Sequence, residues 1–173
     1  MQREHLARLT APAAPLQRAP TGRPELTSAD IAMGISHVRE PARAVILYLW
    51  AGQDDQRQPA ITGLLVPLST VAVEQRWPRP KPGTLTALLA ASLEELRRPK
   101  TCRRCNGSGV YAGKPCDKCV DGRVEWSGRS LAQRVGLPRS TWGDWAPAYP
   151  VARQMVRTVE AGGMRALSRA VGR

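Results

Sequence analysis

The 173-residue sequence has no phenylalanine and no long apolar run, and the second absence limits where the chain can reside. Its longest apolar stretch is Ala44–Ala51, whereas a membrane-spanning helix needs about 20 apolar residues. The N-terminus also lacks the basic start, apolar block and cleavage site of a secretory signal. We therefore expect no membrane segment and no export, and we place the protein in the cytoplasm.

Residues for acid–base and nucleophilic chemistry are also scarce. The chain has two histidines, His5 and His37, and no motif that pairs a histidine base with a nucleophile is present. No helix pattern pairs two carboxylates on one face for proton sharing, and no glycine-rich loop with lysine is present to hold a phosphate. These absences predict that the protein is not an enzyme.

Acidic side chains are too few to balance the basic ones, since 26 Lys and Arg face 14 Asp and Glu, a net charge of +12. The excess is uneven. Residues 1–99 carry 12 basic and 9 acidic side chains, a net of +3, whereas residues 100–173 carry 14 and 5, a net of +9. Such a basic half favours a nucleic-acid partner, because neutralising phosphates releases condensed counterions. The alternatives are a solvated basic surface or a GC-rich genome that favours arginine.

The four cysteines form two C-x2-C pairs separated by ten residues, and no cysteine lies elsewhere. Each pair can direct two thiolates at one centre, so two pairs complete a tetrahedron around Zn²⁺. The alternatives are two disulfides, which are typical of secreted proteins, or four unrelated thiols, which would not be expected to fall within one short segment. A redox site would need a thioredoxin-like βαβ context, which is absent. We predict one structural zinc ion bound by Cys102, Cys105, Cys116 and Cys119, with turns at Gly107, Gly109, Gly113 and Gly122.

The segment Cys102–Gly109 resembles the Cys-x-x-Cys-x-Gly-x-Gly repeat of the DnaJ-type chaperone zinc domain. The second pair matches loosely, because Gly122 lies one place further on. No His-Pro-Asp motif of a J-domain is present in the chain. The likeness is therefore to a zinc knuckle and does not extend to a chaperone.

The remaining pattern predicts a mainly α protein with five segments. Residues 1–26 are a Pro-rich mobile arm, and residues 77–83 are a Pro-rich linker. Between them, residues 27–76 form a helical segment that begins with a cap at Thr27–Asp30. It contains a helix from Glu40-Pro41 to Trp50. A buried helix follows from Ile61 to about Gln75, and Pro67 must start, kink or end it. Residues 84–161 form the C-terminal domain, and residues 162–173 form a weakly helical tail after Gly162-Gly163.

Within residues 84–161, Thr84 is expected to cap an amphipathic helix, 84–97, whose leucines recur at three- and four-residue spacing. The zinc loop, 100–125, follows it. Two short helices, about 130–135 and 139–145, and a longer one, about 151–161, complete the domain. This order predicts a trihelical unit with the zinc loop inserted between its first and second helices, tying the two together mechanically.

The two short helices have helix-turn-helix spacing, with small Ala132, Gly136 four residues later in the turn, and apolar Trp142 six residues after that. Leu131, Val135 and Leu137 are expected to face the same core. An ordinary helical hairpin is the alternative. In the helix-turn-helix interpretation, the second helix exposes a DNA-binding face, and Gly143 lies close to the DNA backbone. The candidate DNA-binding residues are Arg129, Arg134, Arg139, Ser140, Thr141, Asp144 and Arg153.

Over residues 84–160 this combination of two cysteine pairs with the Ala132/Gly136/Trp142 pattern resembles the phage antitermination protein Q family in its lambda-type, zinc-containing branch. The resemblance implies a transcription antitermination factor for bacteriophage late gene expression in a bacterial host cell. Such a factor binds a DNA element near a late promoter, loads onto bacterial RNA polymerase paused there with its sigma factor, and makes the polymerase pass terminators. Residues 28–76 would supply the polymerase contacts. The number of protomers that bind the DNA element stays open, and two is one of the options.

Two other interpretations of the same residues stay open. One is a zinc-containing helix-turn-helix repressor or activator that acts at the promoter without travelling with the polymerase. The other is an RNA-binding zinc protein, in which the basic arm contacts RNA and Trp126 or Tyr111 stacks on bases.

Overall fold

The computed structural model describes residues 33–98, 100–119 and 122–171, and these residues are mainly helical, as predicted. The predicted arm 1–26 and the cap at Thr27–Asp30 lie outside the described residues. Residues 33–36 are helical, and a short 3₁₀ helix spans Asp54–Gln56. The longer helices are α1 (Ala42–Trp50), α2 (Arg57–Glu74), α3 (Thr84–Arg97), α4 (Gly128–Val135), α5 (Arg139–Trp145) and α6 (Ala148–Val171).

The described residues divide into two compact units. The first unit comprises residues 33–66 and 154–171, and the second comprises residues 67–153. This division differs from the predicted segments, because the Pro-rich residues 77–83 belong to the second unit and the expected domain 84–161 is divided at residue 153. The unit boundaries fall inside α2 and α6 rather than at proline-rich linkers, where sequence composition would place them.

In the first unit, α1 begins directly after Pro41, as predicted, and buries one side completely. Tyr48 and Ile46 are among its most deeply buried side chains, at 1% and 0% exposure. Ile46 forms an apolar cluster with Val38 and Leu167 of α6. Tertiary packing of α1 against α6 therefore supplies the core of this unit.

Helix α2 differs from its prediction in two ways. It begins at Arg57, before the expected Ile61, whereas its end at Glu74 and the interior position of Pro67 agree with the prediction. The helix is also only partly buried, because Val66 and Val73 are 74% and 79% exposed while Leu64 and Leu68 are completely buried. Apolar residues of α2 therefore lie on its exposed side as well as on its buried side.

Helix α6 continues to Val171, so the prediction that Gly162-Gly163 ends it was wrong. Gly163 is buried, and a Cβ atom placed there would lie 2.6 Å from Ile46 Cδ1 and 2.9 Å from Ala42 Cβ. The glycine lets the backbone of α6 approach α1 closely. This packing outweighs the roughly 1 kcal/mol that glycine costs inside a helix.

In the second unit, α3 has the predicted bounds, and Leu88, Leu89 and Leu93 on it are buried. Its N-cap is Gly83, at φ 85°, so Thr84 is the first helical residue and does not cap the helix. Helix α3 packs on α4, and α4 packs on α5. The loop between α3 and α4 contains four short strands, β1 (Lys100–Thr101), β2 (Val110–Tyr111), β3 (Lys114–Pro115) and β4 (Arg123–Val124), paired as β1–β4 and β2–β3.

Across the described part of the chain, none of the helices combines the length and the apolar character that a membrane crossing requires.

Candidate functional site

The four cysteine sulfurs gather at one point, as the spacing predicted, and all lie within 4.8 Å of one another. The Cys102 and Cys116 sulfurs are 4.0 Å apart, and the Cys105 and Cys119 sulfurs are 3.5 Å apart. A tetrahedron with metal–sulfur bonds of about 2.3 Å has edges of roughly 3.8 Å, which lies between these two distances. The cluster can therefore hold one metal ion, and its four ligands would leave no open position.

The backbone turns that follow each cysteine pair contain residues with positive φ, in the left-handed region of the Ramachandran plot. Asn106 and Gly107 have φ values of 49° and 83° after the first pair, and Gly122 has φ 79° after the second. A Cβ atom on Gly122 would overlap the Gly107 carbonyl. The turns formed by the two C-x2-C pairs, here called the two knuckles, are therefore in direct backbone contact. The Cys102 N–H donates to the Gly122 carbonyl at 2.8 Å, which joins the two ends of the loop.

Hydrogen bonds also distinguish the thiols of Cys105 and Cys119, which lie side by side. Burial opposes ionisation of Cys105, but hydrogen bonds from the backbone of Gly109, the Cys119 thiol and the backbone of Gly107 prevail and lower its pKa to about 6. Burial and the neighbouring sulfurs raise the pKa of Cys119 to about 12. The backbone donors at Cys105 favour the thiolate, which is the form that binds metals.

An ion pair connects the two knuckles on their outer side. Arg104, inside the first C-x2-C turn, lies 3.1 Å from Asp117, inside the second. Five basic residues of the cysteine loop are exposed, namely Lys100, Arg103, Arg104, Lys114 and Lys118.

Helices α4 and α5 form a pair joined by a short turn. The Ser127 side chain accepts a hydrogen bond from the Ser130 N–H and caps α4. Leu131, Ala132 and Val135 are buried, as predicted for the inner side of this helix. Gly136 has φ 71°, which confirms the prediction of a left-handed turn residue.

The second helix of the pair has a buried side and an exposed side. Trp145 is 5% exposed, and its ring meets that of Trp77 edge-on, with centroids 6.4 Å apart. Trp77, which was assigned to a linker, is thereby anchored in the second unit. Trp142 is half-buried and lies above Gly128, where a Cβ atom would be 3.1 Å from the indole nitrogen.

The structure places most of the predicted DNA-binding residues on exposed surface. Thr141 is half-buried, and its hydroxyl donates to the Pro138 carbonyl at 3.0 Å, so part of its bonding capacity serves the start of α5. A Cβ atom on Gly143 would meet nothing within 4 Å. The exposed members of the predicted set are Arg129 and Arg134 on α4 and Arg139, Ser140 and Asp144 on α5.

Arg153 does not belong with this exposed set. Its side chain is 18% exposed, and the guanidinium lies against Glu95, at 3.5 Å, and Glu125. Burial acts to lower the pKa of Arg153, but the hydrogen bond with Glu125 and the charge of Glu95 outweigh it and raise that pKa. Arg153 is therefore an internal ion-pair partner, because phosphate would have to displace both carboxylates.

Glu95 on α3 is the residue that sequence reasoning missed. Its side chain is 4% exposed. One carboxylate oxygen accepts the Trp126 N–H at 2.7 Å, and the other accepts the Tyr149 hydroxyl at 2.7 Å and faces Arg153. Burial and this hydrogen bond raise the pKa of Tyr149. Glu95 thus connects α3 with the end of the cysteine loop and the start of α6.

Glu95 lies seven residues after the buried Leu88, so the helical repeat places it on the buried side of α3. A carboxylate at a buried position of an amphipathic helix needs polar partners. The charge of Glu95 at a buried position is therefore the sequence feature that could have identified it. The identity of the partners could not be inferred, since Trp126 and Tyr149 lie 31 and 54 residues away.

Comparison with protein-family models, with curated proteins and with solved structures finds no match for this chain.

Proposed function

We propose that the protein binds duplex DNA through α5, and that α3, α4 and α5 form a trihelical unit containing a helix-turn-helix. The observation that carries the proposal is the asymmetry of α5. Trp145 anchors one side in the core, while Arg139, Ser140 and Asp144 on the other side are exposed. Arginine and serine side chains at such positions can donate to base edges and phosphates in the major groove.

The packing of the helix pair supports this proposal. Ala132 is 1% exposed where α4 passes α5, and Gly136 occupies the turn at φ 71°. The open space around Gly143 permits a DNA backbone to approach without steric conflict. These features agree with a helix-turn-helix, whose second helix enters the major groove.

Charge supports a polyanionic partner for the same unit. Residues 67–153 contain 15 basic and 7 acidic side chains, a net of +8, whereas residues 33–66 and 154–171 contain 6 and 4, a net of +2. On α4, the guanidinium of Arg134 lies 3.9 Å from the centroid of the Trp126 ring. This stacking limits the motion of an exposed cation and favours its use as a phosphate contact.

We assign the cysteine cluster to one structural Zn²⁺. Four thiolates suit zinc, and a closed four-cysteine set leaves no position for a catalytic water. In this proposal the metal connects α3 to α4, since its ligands occupy the loop between them, and it makes no contact with DNA.

By the resemblance to the lambda-type antitermination family, we further propose that the protein modifies bacterial RNA polymerase at a phage late promoter so that it passes terminators. The support is the order of elements, in which a four-cysteine loop separates α3 from the pair α4 and α5 and a long helix follows. A purified transcription assay on a template with the cognate promoter tests it. Increased readthrough supports antitermination, and unchanged termination with promoter occupancy indicates a repressor or activator.

The DNA-binding proposal predicts a loss of affinity in Arg139→Ala. Removal of a base contact weakens duplex binding by about 1–3 kcal/mol, measured by fluorescence anisotropy with a duplex identified by footprinting. Arg157→Ala is the matched control, because it also removes an exposed arginine, but from α6 rather than α5.

The two variants should differ in specificity as well as in affinity. Arg139→Ala relaxes the preference for the cognate sequence if Arg139 contacts a base, while Arg157→Ala leaves that preference intact. Equal affinities of Arg139→Ala and wild type for the duplex would contradict the assignment of α5. Tighter binding to single-stranded RNA than to any duplex would favour the RNA-binding alternative.

A further inference from the structure

The hairpin β2–β3 presents an aromatic ring that no part of the proposed metal or DNA-binding site uses. Tyr111 is 47% exposed, and Val110 beside it is 51% exposed. The turn residues Ala112 and Gly113 have φ values of 50° and 77°, as in the tight two-residue turns that rigidify hairpins. The Ser108 hydroxyl lies within hydrogen-bonding distance of the carbonyls of Cys105 and Val110, which attaches the hairpin to the first knuckle.

One cation lies over the ring of Tyr111, and a second belongs to its cross-strand partner. The guanidinium of Arg104 lies 4.6 Å from the ring centroid. Lys114 is the direct cross-strand partner of Tyr111, so the two side chains share one face of the hairpin. Asp117 holds Arg104 from the other side at 3.1 Å. We call Tyr111, Arg104 and Lys114 the aromatic–cation platform.

The exposure of this ring is not explained by support for the cysteine cluster. Val124 is partly buried against the cysteines, whereas Tyr111 is 47% exposed. Arg104 already has an ion pair with Asp117, so the ring is not needed to hold the two knuckles together. Residues 100–124 contain six basic and two acidic side chains, so the surroundings favour an anionic partner.

We propose that the aromatic–cation platform binds single-stranded nucleic acid by stacking one unpaired base on Tyr111, while Arg104 and Lys114 face the adjacent phosphates. Single-strand binding proteins combine these two elements, an aromatic platform and a basic track along the backbone. A base inside a duplex offers no free face, because its neighbours stack on both sides. The platform is therefore a site distinct from the exposed side of α5, and it does not depend on the duplex-binding proposal.

The test measures binding of a fluorescently labelled 12-nucleotide single strand, as DNA and as RNA of the same sequence, to the full chain at low salt. Tyr111→Ala should weaken binding roughly tenfold, as removal of a stacking aromatic does. Tyr111→Phe keeps the ring and should retain wild-type affinity. Val110→Ala is the matched control, because it alters an equally exposed apolar residue on the opposite face of the same hairpin and should change affinity less than twofold. Equal metal content of all variants verifies that the loop is intact.

Each result decides the proposal. A loss in Tyr111→Ala with retention in Tyr111→Phe, on either DNA or RNA, supports it. Unchanged single-strand affinity in Tyr111→Ala overturns the proposal and indicates that the exposed ring contacts a protein instead. An equal loss in Val110→Ala, or a loss confined to duplex DNA, also overturns it, since neither reflects base stacking. Arg139→Ala separates the two proposals, because it should weaken duplex binding and leave single-strand binding unchanged.

Discussion

The two units of the molecule maintain their folds by different means. In the first unit, apolar side chains and close backbone approaches do so, and Gly163 permits α6 to touch Ala42 and Ile46 of α1. In the second unit, four cysteines, three of them buried, form one cluster, and the buried carboxylate of Glu95 is the centre of a second polar group. The first unit therefore depends on shape, and the second depends on polar and ionic ligands as well.

This difference determines what each unit responds to. Apolar packing is disturbed by changes of volume and is largely insensitive to chelators. A metal-binding cluster and a buried carboxylate lose their contribution when the metal or one partner is removed, because uncompensated polar groups then remain inside the protein. The comparison thus predicts that the two units can be destabilised separately.

Removal of the proposed zinc ion should produce the largest effect. Structural zinc contributes on the order of 10 kcal/mol of binding free energy in small domains, and this energy is coupled to folding. A chelator, or the substitution Cys116→Ser, should therefore unfold the second unit and leave the first unit folded. Four of the five tryptophans, all except Trp50, lie in the second unit, so the fluorescence emission should shift to the red.

Hydrogen exchange read by mass spectrometry localises this change. Peptides from α3, α4 and α5 should lose protection in the chelated protein, while peptides from α1 should retain it. Protection kept throughout the chain, together with a loss of duplex affinity, would contradict the structural role of the metal and make the loop a direct DNA contact.

The features that the sequence predicted well are those decided by neighbours in the chain. The leucine spacing of α3 gave its bounds, because a helix presents every third or fourth residue to the same side. The two C-x2-C pairs predicted the cysteine cluster, and Gly136 predicted the left-handed turn between α4 and α5. Each depends on a local pattern with one dominant physical cause.

The features that escaped prediction depend on partners distant in sequence. Helix propensity alone predicts a helix end at Gly162-Gly163, yet α6 continues because Gly163 packs closely on α1. Arg153 was predicted to contact DNA, but Glu95 and Glu125, which are distant in sequence, form ion pairs with it.

The second prediction concerns Glu95, whose loss should have a smaller effect than loss of the metal. The Trp126 N–H and the Tyr149 hydroxyl donate to its two oxygens, and the Arg153 guanidinium lies 3.5 Å from one of them. Glu95→Ala leaves these donors without their acceptor and should lower the free energy of unfolding of the second unit by about 3–5 kcal/mol. Urea unfolding followed by tryptophan fluorescence measures this change.

Glu94 provides the matched control for Glu95. It is the adjacent carboxylate, its side chain is 26% exposed, and it lies 3.9 Å from Arg98 in an i,i+4 pair. Glu94→Ala should cost no more than about 1 kcal/mol, as expected for a pair near the surface. Glu95→Gln should remain destabilising, because its amide NH₂ would face a donor. Similar losses in Glu94→Ala and Glu95→Ala would show that the buried network does not distinguish the second unit.

The smallest effect is predicted in the first unit, where two adjacent glycines should respond with opposite signs. Gly163→Ala places a methyl group 2.9 Å from Ala42 Cβ, which cannot move away by rotation, and should destabilise the unit by about 1–3 kcal/mol. At Gly162 the nearest atom is the flexible end of Arg165, at 3.9 Å, so Gly162→Ala should stabilise α6 by up to about 1 kcal/mol. Thermal unfolding in the presence of chelator, where the first unit alone remains folded, measures both changes. Two substitutions of the same sign would mean that helix propensity, rather than close packing on α1, governs this part of α6.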